Sequence, residues 1–303
     1  MIPEYWYLPP VAYAWQVTLH SLLAGSVFFA WARHHGLGSG RPKRAILCVL
    51  LVLPLVTAAI PGRGSAAFRD TVAWLDSARV LSMPVGFDLH VADVALLVGA
   101  VALLATVWQE VLPIFRHARA DFSNLPERLV RIVAAVPDAD RFQLGVLRDH
   151  RIILATSGTP WAPRLLVSEG ALQDLDDDEL LATLLHERAH WNGRRWLGTH
   201  ALYAIRLFQC WNPAALWTFR TYAVEVEAAC DAEATAARDR KPLIRALLKV
   251  YETLERNDVA ARRILRLRID ELRGVSGTHG AEVSVEAVVL AGVVMALLLP
   301  WIV

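Results

Sequence analysis

The stretch Asp176-Asp177-Asp178-Glu179-Leu180-Leu181-Ala182-Thr183-Leu184-Leu185-His186-Glu187-Arg188-Ala189-His190 decides how the rest of the chain is read. Four acidic residues in a row suit the first turn of a helix, where unpaired backbone N–H groups favour negative charge. The stretch therefore predicts a helix from about Asp177 to Trp191. On such a helix His186 and His190, four apart, share a face. Two imidazoles projecting together can bind one divalent metal, and zinc suits imidazole and carboxylate ligands that leave a position open. Glu187 is the next residue along. It is placed to take a proton from a water held beside that metal as the water attacks a carbonyl.

Two imidazoles are too few to hold such a metal. The best source of a third ligand is Val226-Glu227-Ala228-Ala229-Cys230-Asp231, on a separate helix predicted over Tyr222 to Arg238. Glu227 is the expected ligand. Asp231, one turn further on the same face, is expected to accept a hydrogen bond from a ligand histidine and so fix its tautomer. Glu225 and Glu233 read as solvent-facing. Upstream, Phe142 to Arg148 and Arg151 to Thr156 read as short strands joined by a tight turn at Asp149-His150, and Arg164 to Ser168 as a third.

Three elements in order give a resemblance: His186-Glu187-Arg188-Ala189-His190, then Trp211-Asn212-Pro213-Ala214-Ala215-Leu216-Trp217, then Glu227 with Ala229-Cys230-Asp231. Together they resemble the BlaR/MecR group of membrane metallopeptidases, over roughly Leu144 to Arg238. The resemblance implies a gluzincin, with two histidines and a downstream glutamate on zinc. It also implies that the strand near Arg164 to Ser168 is an edge onto which an extended substrate adds. Three features depart from the group. Arg188 stands where an apolar residue is usual. No aspartate follows His190. No penicillin-binding sensor domain follows the last apolar segment, so β-lactam sensing is not expected.

The outer parts of the chain extend this plan. Hydrophobic residues make up 55% of the 303. Four apolar segments, Val11 to Ala32, Ala45 to Gly62, Val94 to Phe115 and Ala287 to Val303, read as transmembrane helices. The expected fold is thus an α-helical membrane protein with four transmembrane helices and an inserted α+β gluzincin metallopeptidase domain. Residues 1–115 would form a three-span anchor, 116–282 the peptidase domain and 283–303 the fourth span. Basic residues in the link Arg33 to Arg44, and Arg116 and Arg119 after the third span, place the peptidase domain in the cytoplasm, inside an inner membrane. Gln16 and His20 are expected to hydrogen-bond between helices. A net charge of +1 gives no reason for direct nucleic-acid binding. Cys48, Cys210 and Cys230 are too few and scattered for a disulfide framework and read as small buried residues.

The expected activity is zinc-dependent cleavage of a protein in signal transduction. The resemblance suggests a transcriptional repressor as substrate, or the chain itself within Arg256 to Glu282. Among His200, Tyr203, Arg206 and Tyr222, the sequence does not single out an oxyanion partner. Two rival readings stand beside this one. The first is a peptidase of the HtpX or CAAX-prenyl-protease type. The second is a non-catalytic receptor that keeps zinc for shape.

Overall fold

The structure, a computed structural model, describes residues 9–35, 40–59, 83–108, 120–159, 161–191, 193–236, 238–254 and 258–274. It divides into two compact units. One gathers residues up to Leu112 together with Ala201–Ala223, and the other Pro113–His200 with Val224–Gly277.

In the first unit, helices α1 (Pro9–His35) and α2 (Arg41–Ala59) pack together. They bury Val17, Ala24 and Phe28 on one, and Leu47, Leu50 and Leu51 on the other. Polar contacts cross the same core. Tyr13 donates to the Leu55 carbonyl at 2.8 Å, and His20 Nδ1 lies 2.8 Å from Thr57 Oγ1. A short hairpin, β1 (Pro84–Gly86) and β2 (Leu89–His90), leads into α3 (Val91–Thr106). On α3 only Ala92 and Thr106 are buried.

The expected four transmembrane helices are not found. Among the described residues no helix is long and apolar enough to cross a membrane. α1 has the length, at 27 residues, but Gln16, Thr18, His20 and Ser21 dilute its apolar character. α2 opens with Arg41, Lys43 and Arg44, so only part of its 19 residues is apolar. α3 covers 16 residues, fewer than the roughly 20 a span needs. The helix boundaries combine the apolar runs with polar and basic residues: α2 begins at Arg41, inside the basic link, and not at Ala45. The segment Ala287 to Val303 lies outside the described residues. The charge-based orientation rested on those spans and has no footing without them.

The second unit is the expected α+β layer. After β3 (Ala120–Asp121) and α4 (Glu127–Val133) come β4 (Gln143–Leu147), β5 (Leu154–Thr159) and β6 (Ala162–Ser168). The sheet order is β3-β4-β6-β5. β4 runs parallel to β6, and β5 antiparallel to it. The expected tight turn joining β4 to β5 is therefore absent. β6 lies between them, and residues 148–153 form a longer crossing. There Asp149 binds the Arg151 backbone and guanidinium, and Ser168 Oγ accepts from Ile153 and donates to the Arg151 carbonyl. Gly170, the second residue of the next helix, lies beside this crossing, and a Cβ there would meet the His150 carbonyl at 2.1 Å. Only glycine allows so close an approach.

Short α5 (Glu169–Asp174) then leads to α6 (Asp177–His190), which follows the predicted bounds closely. Asp176 accepts from the Glu179 backbone while Glu179 accepts from the Asp176 backbone, forming a capping box. Leu180 and Leu184 of α6 join Leu129, Phe142, Val146, Leu165 and Val167 in the core against the sheet. Each such side chain contributes about 1.5–3 kcal/mol by leaving water.

Helices α7 (Gly193–Phe208) and α8 (Pro213–Ala234) follow, with a break before Pro213. Asn212 Oδ1 accepts from the Ala214 and Ala215 backbones, so it caps α8, and its amide donates to Ser21 Oγ at 2.9 Å. α9 (Lys241–Thr253) and α10 (Val259–Leu272) complete the second unit. They share a core of Leu243, Leu247, Leu265, Ile269 and Leu272 with Ala234.

Candidate active site

α6 presents His186 and His190 from adjacent turns, with His190 Nε2 lying 3.1 Å from His186 Nε2. α8 brings Glu227 to both. Its Oε2 is 3.3 Å from His186 Nε2, and its Oε1 is 3.4 Å from His190 Nε2. The structure thus brings together the three residues expected as ligands.

The chemistry of this set suits a divalent cation: two imidazole nitrogens and a carboxylate converge. Zinc bonds of 2.0–2.1 Å in a tetrahedron place ligand atoms about 3.3 Å apart. The observed separations, 3.1 Å between the imidazole nitrogens and 3.3 and 3.4 Å from each of them to its own Glu227 oxygen, lie close to this value. The residues present therefore fit the metal. The cluster His186, Glu187 and His190 also has its donor atoms within 4.8 Å of one another. Glu227 is nevertheless the better third ligand, because Glu187 is held elsewhere: its Oε2 accepts from the Thr156 backbone N–H at 3.0 Å.

Asp231 takes the expected place behind His186, with its Oδ1 2.7 Å from His186 Nδ1. If Nδ1 carries the proton, the Nε2 lone pair faces Glu227 and His190.

Arg268, on α10, is the residue that the sequence reading missed. Its guanidinium grips Asp231 through two bonds, of 2.8 and 2.7 Å, and its Nη1 lies 2.9 Å from Glu227 Oε2. Nη2 is 3.3 Å from both ring nitrogens of His186. A signal was present. Leu265, Ile269 and Leu272 recur at helical spacing, which marks a packed helix within Arg256 to Glu282.

These groups set one another's charge in the metal-free protein. Burial pulls His186 down, but its bonds to Asp231 and Glu227 outweigh this and hold it up at about 9. Burial pushes Glu187 up to about 7. Burial alone would raise Glu227, yet His186 and Arg268 bring it down to about 2. His190 is lowered to about 4, chiefly by burial. A carboxyl poised near 7 is suited to taking and returning a proton.

The substrate edge also differs from expectation. β6, carrying Arg164 to Ser168, is interior, and β5 is the edge of the sheet. Since the Thr156 N–H reaches Glu187, β5 runs alongside α6 with an outward backbone donor directed at the site. Of the residues considered for an oxyanion, Tyr203, Arg206 and Tyr222 belong to the first unit. His200 stacks on Trp196, with ring centroids 4.1 Å apart.

No family model and no curated protein matches this sequence. Among solved structures, the chain is similar to a crystal structure of Ste24p from S. mikatae, with 14% identity and a TM-score of 0.37. The match covers 69% of this chain and 63% of that one, so the chain spans less than two thirds of that relative's length. Likeness at this level fixes neither fold nor activity. Nothing in it singles out the BlaR/MecR group.

Proposed function

We propose that the chain is a zinc-dependent peptidase whose metal is held by His186, His190 and Glu227, with Glu187 as general base. The carrying observation is the convergence of the two imidazole nitrogens, 3.1 Å apart, on the Glu227 carboxylate, which sets one oxygen within 3.3 to 3.4 Å of each, beside a buried carboxyl that is not part of the set. Bound there, zinc supplies a Lewis acid for a carbonyl and makes water more acidic.

The protein's own residues do the rest. Asp231 orients His186. Arg268 holds Asp231 and Glu227 in place. The Thr156 N–H fixes Glu187, which takes a proton from the attacking water and returns it to the leaving amine. The edge of β5 offers backbone groups to an extended peptide, which favours an unfolded protein segment as substrate. The site supports this chemistry equally for a signalling peptidase and for one of the HtpX or CAAX-prenyl-protease type.

The test is hydrolysis of a fluorescein-labelled unfolded protein by the zinc-loaded chain and by Glu187→Gln. The variant should retain zinc and lose about a hundred- to ten-thousand-fold in rate. Equal rates would remove Glu187 from the mechanism. Zinc binding by the wild type without cleavage would favour the non-catalytic reading.

A further inference from the structure

A second set of charges joins α6 to α8, and the proposed mechanism does not use it. Arg188 lies two residues from each histidine, about 200° around the helix axis from both. It therefore leaves the ligand face. Its guanidinium reaches Glu233 of α8 at 3.7 Å and donates to Asp138 at 2.9 Å. Arg195 closes the set from α7. Its Nη1 lies 3.0 Å from Glu233, donates to the Ala189 carbonyl at 2.7 Å and sits 3.5 Å from Cys230 Sγ. Glu233, read from the sequence as solvent-facing, is thus held between two arginines. Its side chain is 31% exposed, and that of Arg195 22%.

We propose that Glu233, clamped by Arg188 and Arg195, is a positioning residue that sets the spacing between α6 and α8, and hence between Glu227 and the two imidazoles. The inference rests on the metal reading above. The geometry carries it. α6 supplies two ligands and α8 the third, so no single helix fixes their separation. The Asp231–Arg268 contacts restrain α8 against His186 at the ligand face. The arginine clamp restrains it through residues outside that face. Zinc tolerates a misplacement of only about 0.5 Å before its donor geometry degrades. Pairs this exposed contribute little to folding stability, so the clamp acts mainly on placement.

The experiment measures zinc dissociation constants by competition with a chelating dye, together with the melting temperature of the metal-free protein. The wild type is compared with Glu233→Gln, Arg188→Leu, the double variant and Arg188→Lys. Glu233→Gln and Arg188→Leu should each weaken zinc binding about 10-fold, the lower end for outer partners of ligands. The double variant should lose less than the product of the two single losses, because the singles share the Arg188–Glu233 contact. Arg188→Lys should recover most of the affinity. Metal-free melting should move little in any of them. Constants within about twofold of wild type would overturn the clamp while leaving the metal site standing. So would losses that multiply in the double variant, or that track a fall in metal-free melting. Failure of the wild type itself to bind zinc would overturn the metal reading and the clamp with it.

Discussion

Arg268 and Asp231 form a largely buried ion pair at the site, with side chains 11% and 4% exposed. A buried pair stripped of one member leaves the other uncompensated, which costs about 3–5 kcal/mol. Arg268→Met should therefore lower stability by that amount in denaturant titration, and far more than the exposed Arg131→Met. His186 gives a second prediction at this scale. Its pKa is raised from 6.5 to about 9 in the metal-free protein. A raised folded value means a stability contribution fully present below 6.5 and lost as pH climbs through 9. Metal-free melting temperature should fall between pH 6.5 and 9. A rise over that window would contradict the His186–Asp231–Glu227 contacts. The identities of His186, Glu187, His190, Glu227 and Asp231 as candidates were legible because fixed helical spacings tie them together in two short segments. Arg268 was not, since it lies 37 residues beyond Asp231 and meets it only through packing.

At the scale of elements, the edge strand β5 and the helix α6 are coupled through one bond from Thr156 to Glu187. That bond opposes the rise of the Glu187 pKa caused by burial. Thr156→Pro removes the donor, and because this N–H faces away from β6 the ladder keeps its bonds. The acidic limb of the kcat/KM profile should then move to higher pH, since losing a bond to the ionised form raises a carboxyl's pKa further. An unmoved limb would mean that another group carries that titration. Strand existence was readable from β-branched and apolar runs. Strand order was not, because a parallel partner such as β4 for β6 is chosen by a crossover and not by a local turn.

At the scale of the whole molecule, all the proposed zinc ligands lie in the second unit. Zinc bound to the folded form alone stabilises by mass action, about 4 kcal/mol at a thousand times the dissociation constant. Thermal melting should rise with zinc and fall back with a chelator, and His190→Ala should lose most of that response. The two-unit division itself was hidden from a linear reading, because Ala201–Ala223 joins the first unit from within the stretch assigned to the peptidase domain. The expectation of four spans failed at this scale too, where apolar runs had to be weighed with the polar residues sharing their helices.

The sequence by itself determined the chemistry on offer: two histidines and a glutamate at one end of a capped helix, with a second acidic pair one turn apart on another. Such spacings are local and follow from helical geometry alone. Only the tertiary structure decided that Glu227 offers one oxygen to each imidazole, that Arg268 reaches Glu227 and His186, that β5 is an edge and that Glu233 lies between two arginines. Those are contacts between segments far apart in the chain, set by how the core packs, and no spacing along the chain encodes them directly.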